Sequence, residues 1–424
     1  MKKKLFLIIV TFIGLSELLH AQLPSTELKY RRSSLHTMIL EMEAFPQKET
    51  ILKAFNNAPF PDKYNNHSLT EKSFDPTKYA LTIEEKAAIN GTDPNKVTSE
   101  STAIPFEIGK YLVQNKIANK LVAKWFNRQA DGSFDMNLIG ERGAYNATQM
   151  EANIAKGSAR GTSSLSDAGV ELLGNTFIVV SKFKFVSNEI VAAGIRDAAI
   201  AAAKDIQDPF SKSLFLKGAD MVYAKTKEGY SVWTTSFLYK LVWNDSTEAI
   251  FYNDLWMDKK SLDPKKKDAF DNSTLFQLEF IGDENARGLV TFSLNEKRTE
   301  EQIIEKVTIR TIDAIYAKLQ KKYDVFKPKV PLLSGDPITA KIGMKEGLEG
   351  GEKFEVFEQV FDTKTGLTRY DSKGTISVDK KLVWDNRYNA ADEPVIEGVK
   401  TPLEFTTFKG GKKFYAGMLI KQVK

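Results

Sequence analysis

The chain contains no cysteine. That removes disulfides, thiol nucleophiles, zinc knuckles and iron–sulfur clusters together. Stability must then rest on apolar cores, and 424 residues are enough to build them. Histidine is nearly as scarce, with only His20, His36 and His67 present. It is the usual general base and metal ligand, so neither a histidine-based metal centre nor a Ser-His-Asp triad is expected. His36 lies in a segment of helical spacing and is expected half-buried on a helix. His67 follows Asn65 and Asn66 and is expected in a polar loop. No G-x-x-x-x-G-K-[ST] and no G-x-G-x-x-G occurs, so nucleotide binding has no motif behind it. The sequence calls for no cofactor.

Long apolar runs are also missing beyond the N-terminus. The stretch from Ile190 to Ile206 comes closest, but Arg196, Asp197, Lys204 and Asp205 interrupt it. No transmembrane helix is therefore expected after residue 21. At the N-terminus Lys2, Lys3 and Lys4 precede an apolar run from Leu5 to Leu19, and Ala21 follows. Basic, apolar, small is the order of a secretory signal peptide. The run, roughly 15 residues, is short of the ~20 that a spanning helix needs. Cleavage near Ala21 and a periplasmic or secreted location are expected. Losing residues 1–21 removes three Lys and one Glu, which takes the formal net charge from +5 to +3. A chain so near neutrality lacks the concentrated basic face of a nucleic-acid binder.

The length argues for more than one domain. Residues 22–100 read as an irregular helical N-terminal segment. Leu35, Met38, Ile39 and Met42 recur at helical spacing, as do Ile51, Leu52 and Phe55. Thr82 with Glu85 forms a capping box ahead of a short helix. Residues 101–325 read as an α/β sandwich domain. A single helix is expected over 106–126, and Phe134, Met136 and Leu138 alternate as a strand. Strands are expected at 176–186 and 229–244, with Ala-rich and apolar helices between them. A hairpin is expected from 275–280 with 288–294. A last helix starts at Thr299, capped with Gln302, and buries Ile304, Val307, Thr311, Ile315 and Leu319. Residues 326–337 hold three prolines and a glycine, and read as a linker. Residues 338–424 read as short strands with glycine turns, the pattern of a small β-barrel. The fold class expected is α+β: an α/β sandwich with an antiparallel meander, then a small C-terminal β-barrel.

Two segments carry a resemblance. Gly343, Gly347, Gly351, Phe354 and Val356 spell G-x-x-x-G-x-x-x-G-x-x-F-x-V. That run is similar to the first hairpin of small β-barrels in exported bacterial proteins. The helix and strand order before it resembles the α/β domain of periplasmic envelope-assembly proteins of the curli-secretion and flagellar-ring type. The resemblance implies a periplasmic, non-catalytic, protein-binding role.

Catalytic motifs fail on inspection. Gly157 to Gly161 nearly spells a nucleophile elbow, but Ala159 stands where serine is needed. Ser181 with Lys184 matches S-x-x-K, but in a strand these two side chains face opposite ways. Asp131, Asp135, Glu141 and Asp254 lie near expected element ends, and a glycosidase needs only two carboxylates. The candidate interaction residues are Arg142 and Tyr145 in the glycine-flanked segment 139–145, Arg160, and Trp384 with Arg387. Arginine and aromatic side chains are favoured at interface hot spots. The function expected is a non-catalytic protein of the bacterial cell envelope that binds another envelope protein or assembles with itself. Peripheral outer-membrane contact would accompany that role. The alternative is a carboxylate-dependent hydrolase or a glycan-binding protein presenting Trp233, Trp243, Trp256 or Trp384.

Overall fold

The computed structural model describes residues 30–42, 45–92, 97, 99–146, 171–227, 229–289, 299–361, 368–388, 390 and 403–423. The expected signal peptide, residues 1–21, lies outside them. In chain order the strands are β1 (Ser34–Leu40), β2 (Asn65–Asn66), β3 (Ser73–Phe74), β4 (Thr176–Ser187), β5 (Tyr230–Leu241) and β6 (Leu278–Leu289). They continue with β7 (Val330–Gly335), β8 (Ile338–Ala340), β9 (Lys353–Phe361), β10 (Thr368–Val378), β11 (Thr406–Lys409) and β12 (Leu419–Gln422). The helices are α1 (Lys48–Asn57), α2 (Ile83–Thr92), α3 (Glu100–Gln114), α4 (Ile117–Trp125) and α5 (Asn137–Asn146). After them come α6 (Asn188–Ala202), α7 (Pro209–Thr226), α8 (Asp245–Ile250), α9 (Pro264–Asn272) and α10 (Glu300–Lys322).

A mixed sheet forms the first layer system, in the order β2-β1-β4-β5-β6 with β3 also on β1. β1 runs parallel to β4, and β4, β5 and β6 form an antiparallel meander. Both faces are covered. Leu35, Ile39, Phe177 and Val179 pack towards Ile51, Phe55, Val307 and Leu319 of α1 and α10. Met38, Leu40, Ile178 and Val180 pack towards Ile104, Ile108 and Leu121 of α3 and α4. A third, largely aromatic cluster around Trp125, Phe126, Phe134, Phe251 and Phe270 closes one end. The strands β10-β11-β8-β7-β12-β9 close into an antiparallel barrel with its own core, including Leu332, Phe354, Val356 and Phe408. The expected fold class, α/β layers followed by a small barrel, is what the molecule has.

Several local expectations are corrected. The segment 35–42 is strand β1, not a helix, and His36 is fully buried within it. Its apolar residues face two layers at once, which fills in the gaps of simple alternation and mimics helical spacing. The single helix over 106–126 is two helices, broken where Lys116 takes a left-handed backbone, φ 52°. Phe134, Met136 and Leu138 form no strand, because Asp135 accepts the Asn137 N–H at 2.9 Å and turns the chain into α5. In place of the expected hairpin of 275–280 with 288–294, one strand runs from Leu278 to Leu289 with a register shift between Phe280 and Gly282, and 290–294 lie outside the described residues. The expected linker 326–337 contains barrel strand β7, with Pro331 opposite Leu419.

The barrel is seated on the sheet system through α10. Asp313 on α10 faces Lys345 at 3.5 Å, and Arg310 donates to the Tyr388 carbonyl at 3.3 Å. Tyr64 donates to the Phe326 carbonyl at 2.6 Å, and Gln320 donates to the Tyr64 hydroxyl. The Tyr30 and Tyr370 hydroxyls meet at 2.5 Å.

Candidate functional site

Arg142 lies on α5 and not in an open loop. It donates to His67 Nδ1 at 2.9 Å and to the Asn66 carbonyl at 2.9 Å, and its guanidinium lies 4.6 Å from the Trp125 ring. His67 stacks on the same Trp125 ring, with centroids 4.7 Å apart, and is fully buried where a polar loop was expected. An Nδ1 that accepts from arginine leaves Nε2 to donate to the Leu121 carbonyl at 3.0 Å. Burial, then the neighbouring Arg142 charge, holds the His67 pKa well below its usual value. Burial also lowers the Arg142 pKa to about 10. This arrangement is a satisfied polar core element. Tyr145 shares α5 with Arg142, but its side chain and all of Arg160 lie outside the described residues.

Trp384 and Arg387 lie elsewhere, between β10 and β11 of the barrel. The Trp384 carbonyl accepts the Met344 N–H at 2.9 Å, and its own N–H donates to Thr406 Oγ1 at 3.0 Å. A Cβ at Gly343 would meet that carbonyl at 2.3 Å, which accounts for the first glycine of the G-x-x-x-G run. Arg387 forms a two-point contact with Asp385, at 2.8 and 2.6 Å. The sequence-predicted residues thus belong to two separate structural features.

The acids do not gather either. Asp131 and Asp135 accept from the backbone of Ser133 and Asn137 and shape turns. Glu141 and Asp254 are exposed on α5 and on the short helical turn after α8. A cavity of about 500 Å³ between α3, α4 and the β5–β6 edge is lined by Leu112, Tyr239, Phe276 and Leu278 among others, and by no carboxylate. Among the described residues no cluster of three His, Asp or Glu side chains could hold a metal ion. Trp243 and Trp256 pack into the aromatic cluster, while Trp233 is 47% exposed beneath Arg287, 3.8 Å from its ring centre.

The feature that sequence reasoning missed is the connection from β4 to β5. Ser187 caps α6 by accepting the Glu189 N–H, and Asp208 caps α7 ahead of Pro209. The two helices pack chiefly on each other. Ala192 of α6 and Ala203 just after it are buried, and Arg196 of α6 pairs with Asp220 of α7 at 2.7 Å. Small side chains let them pack closely, so their large apolar side chains point outward. Phe210 is 77% exposed, Ile190 69%, Leu214 63% and Met221 61%. Ile195, Val191, Val222, Phe215 and Ile200 are also exposed. α7 buries no residue at all. Its sequence signal was the lack of any clear polar face. No helix among the described residues is long and apolar enough to cross a membrane.

No protein-family model matches the chain, and no curated protein matches it.

Proposed function

We propose that this is an exported, non-catalytic protein of the bacterial cell envelope that assembles with copies of itself through the α6–α7 hairpin. One observation carries the reading: nine large apolar side chains stand exposed on a single projecting hairpin. Contiguous apolar patches of that kind mark interaction sites on water-soluble proteins. Residues 188–227 carry six Lys and Arg against five Asp and Glu, so little net charge selects a charged partner or an anionic membrane. A second hairpin of the same sequence offers a matching apolar surface without repulsion, and two-fold contacts are self-complementary. The N-terminal order of basic, apolar and small residues supports export.

Light scattering on residues 22–424 tests the reading. A defined oligomer is expected, and Phe210→Ser with Leu214→Ser should return it to a monomer of unchanged melting temperature. A parent protein that stays monomeric at all concentrations would overturn self-assembly.

A further inference from the structure

We propose that the cavity between the sheet and the barrel binds a small, soluble polyanion carrying phosphate groups. The cavity measures about 240 Å³ and lies at the end of β4 and β5 opposite the helical hairpin. Ten residues of strand separate Phe177 from Ser187, about 33 Å at 3.3 Å each, so this site is physically remote from the proposed assembly surface. Its failure and that of the self-assembly reading are therefore distinguishable.

Six cations line the cavity: Arg32, Lys63, Lys240, Lys327, Lys329 and Lys421. Only Glu171 and Asp324 among the lining residues oppose them. Asp324 is already shared by Lys327 at 3.3 Å and Lys421 at 2.7 Å. Lys63 is taken by Asp62 at 2.6 Å. Among the described residues Lys240 and Lys329 form no ion pair, and the Lys329 ammonium sits 3.5 Å from the centre of the Tyr370 ring. Arg32 and Lys327 are buried.

Concentrating positive charge in a partly buried space is unfavourable unless an anion neutralises it. Burial is the main cause that lowers the Lys329 pKa; Glu171 acts against it, and Lys421 and Arg32 add to it. With Lys63 set against Asp62, an excess of three positive charges remains, more than one carboxylate can satisfy. Lysine ammoniums are compact point charges suited to phosphate oxygens. Val325 and Pro328 are the only apolar lining side chains, which leaves no shelf for a nucleobase or an acyl chain. The residues come from the approach to β1, from β5, from the turn at Asp324–Phe326, and from β12 of the barrel. A bound polyanion would therefore tie the barrel to the sheet.

The test is calorimetric titration of residues 22–424 with sodium pyrophosphate, alongside inorganic phosphate and citrate. Saturable pyrophosphate binding at one site per chain is expected. Lys329→Met should weaken it about tenfold, the loss of one charge-assisted contact, and Lys240→Gln should weaken it as well. Lys212→Gln on the hairpin should leave it unchanged. Without ligand, Lys329→Met should melt no lower than the parent, which shows the variant folds. Absence of binding, equal affinity in Lys329→Met, or the same effect from sodium chloride at matched ionic strength would each overturn the site. Citrate binding as tightly as pyrophosphate would overturn its assignment to phosphate.

Discussion

Arg142 Nη1 donates to Nδ1 of His67 at 2.9 Å, and both side chains lie against the Trp125 ring. The pair joins α5 to the loop after β2, so Arg142 holds two parts of the fold together. Arg142→Gln should cost about 1–3 kcal/mol, because His67 and the Asn66 carbonyl lose buried hydrogen-bond donors. Urea unfolding at pH 7 measures this. An unchanged midpoint would return Arg142 to the class of surface residues.

The two buried histidines make the fold sensitive to mild acid. Burial, helped by Lys72, lowers the His36 pKa to about 3, and His67 is also lowered. The unfolded chain takes up these protons near pH 6.5 while the folded chain does not. Stability is therefore full above pH 6.5 and lost as pH falls towards the folded values. Each histidine should contribute a loss of about 1.4 kcal/mol per pH unit below 6.5. Guanidinium melts at pH 7, 6 and 5 give the slope, and His36→Asn should reduce it. A flat profile across that range would contradict the buried neutral state.

Asp313 has the opposite sign. Burial raises its pKa to about 6 despite Lys345 at 3.5 Å, and one carboxylate oxygen has no hydrogen-bond partner. Its contribution to stability is present below the unfolded value near 3.8 and is lost as pH rises through 6. Asp313→Asn should stabilise the protein by about 1–2 kcal/mol at pH 8, after the loss to Lys345 is counted, and by nothing at pH 4. Destabilisation at pH 8 would mean that the ion pair with Lys345 outweighs the burial.

Gly282 sits at the kink of β6 with φ 148°. A Cβ there would lie 2.2 Å from the Tyr323 hydroxyl, which donates to the Asp283 carbonyl at 2.9 Å. Gly282→Ala should destabilise the fold by about 2–3 kcal/mol through backbone strain and loss of that contact. Adding Tyr323→Phe should relieve part of the loss by removing the clashing oxygen. A double variant no better than the single one would place the whole effect in the backbone.

Local physics carried much of this fold into the sequence. Thr299 and Gln302 form their capping box, and Ile304, Val307, Thr311, Ile315 and Leu319 are buried as their spacing required. Thr82 and Glu85 cap α2, and β4 and β5 appear where β-branched and aromatic residues cluster. Such features depend on neighbours within one or two turns, so they can be read from a short window of residues. The barrel was legible from its glycine-punctuated short strands, though not that the proline-rich stretch before it supplies β7. The tertiary structure alone decided the rest. β1 is a strand because β4, more than 130 residues later, pairs with it between two helical layers. His67 is buried because Trp125 and Arg142 close over it. The cavity cations span Arg32 to Lys421 and meet only when the barrel docks. The α6–α7 hairpin was recognisable as helical, but its exposure was not, since burial is set by what the rest of the chain places against a surface.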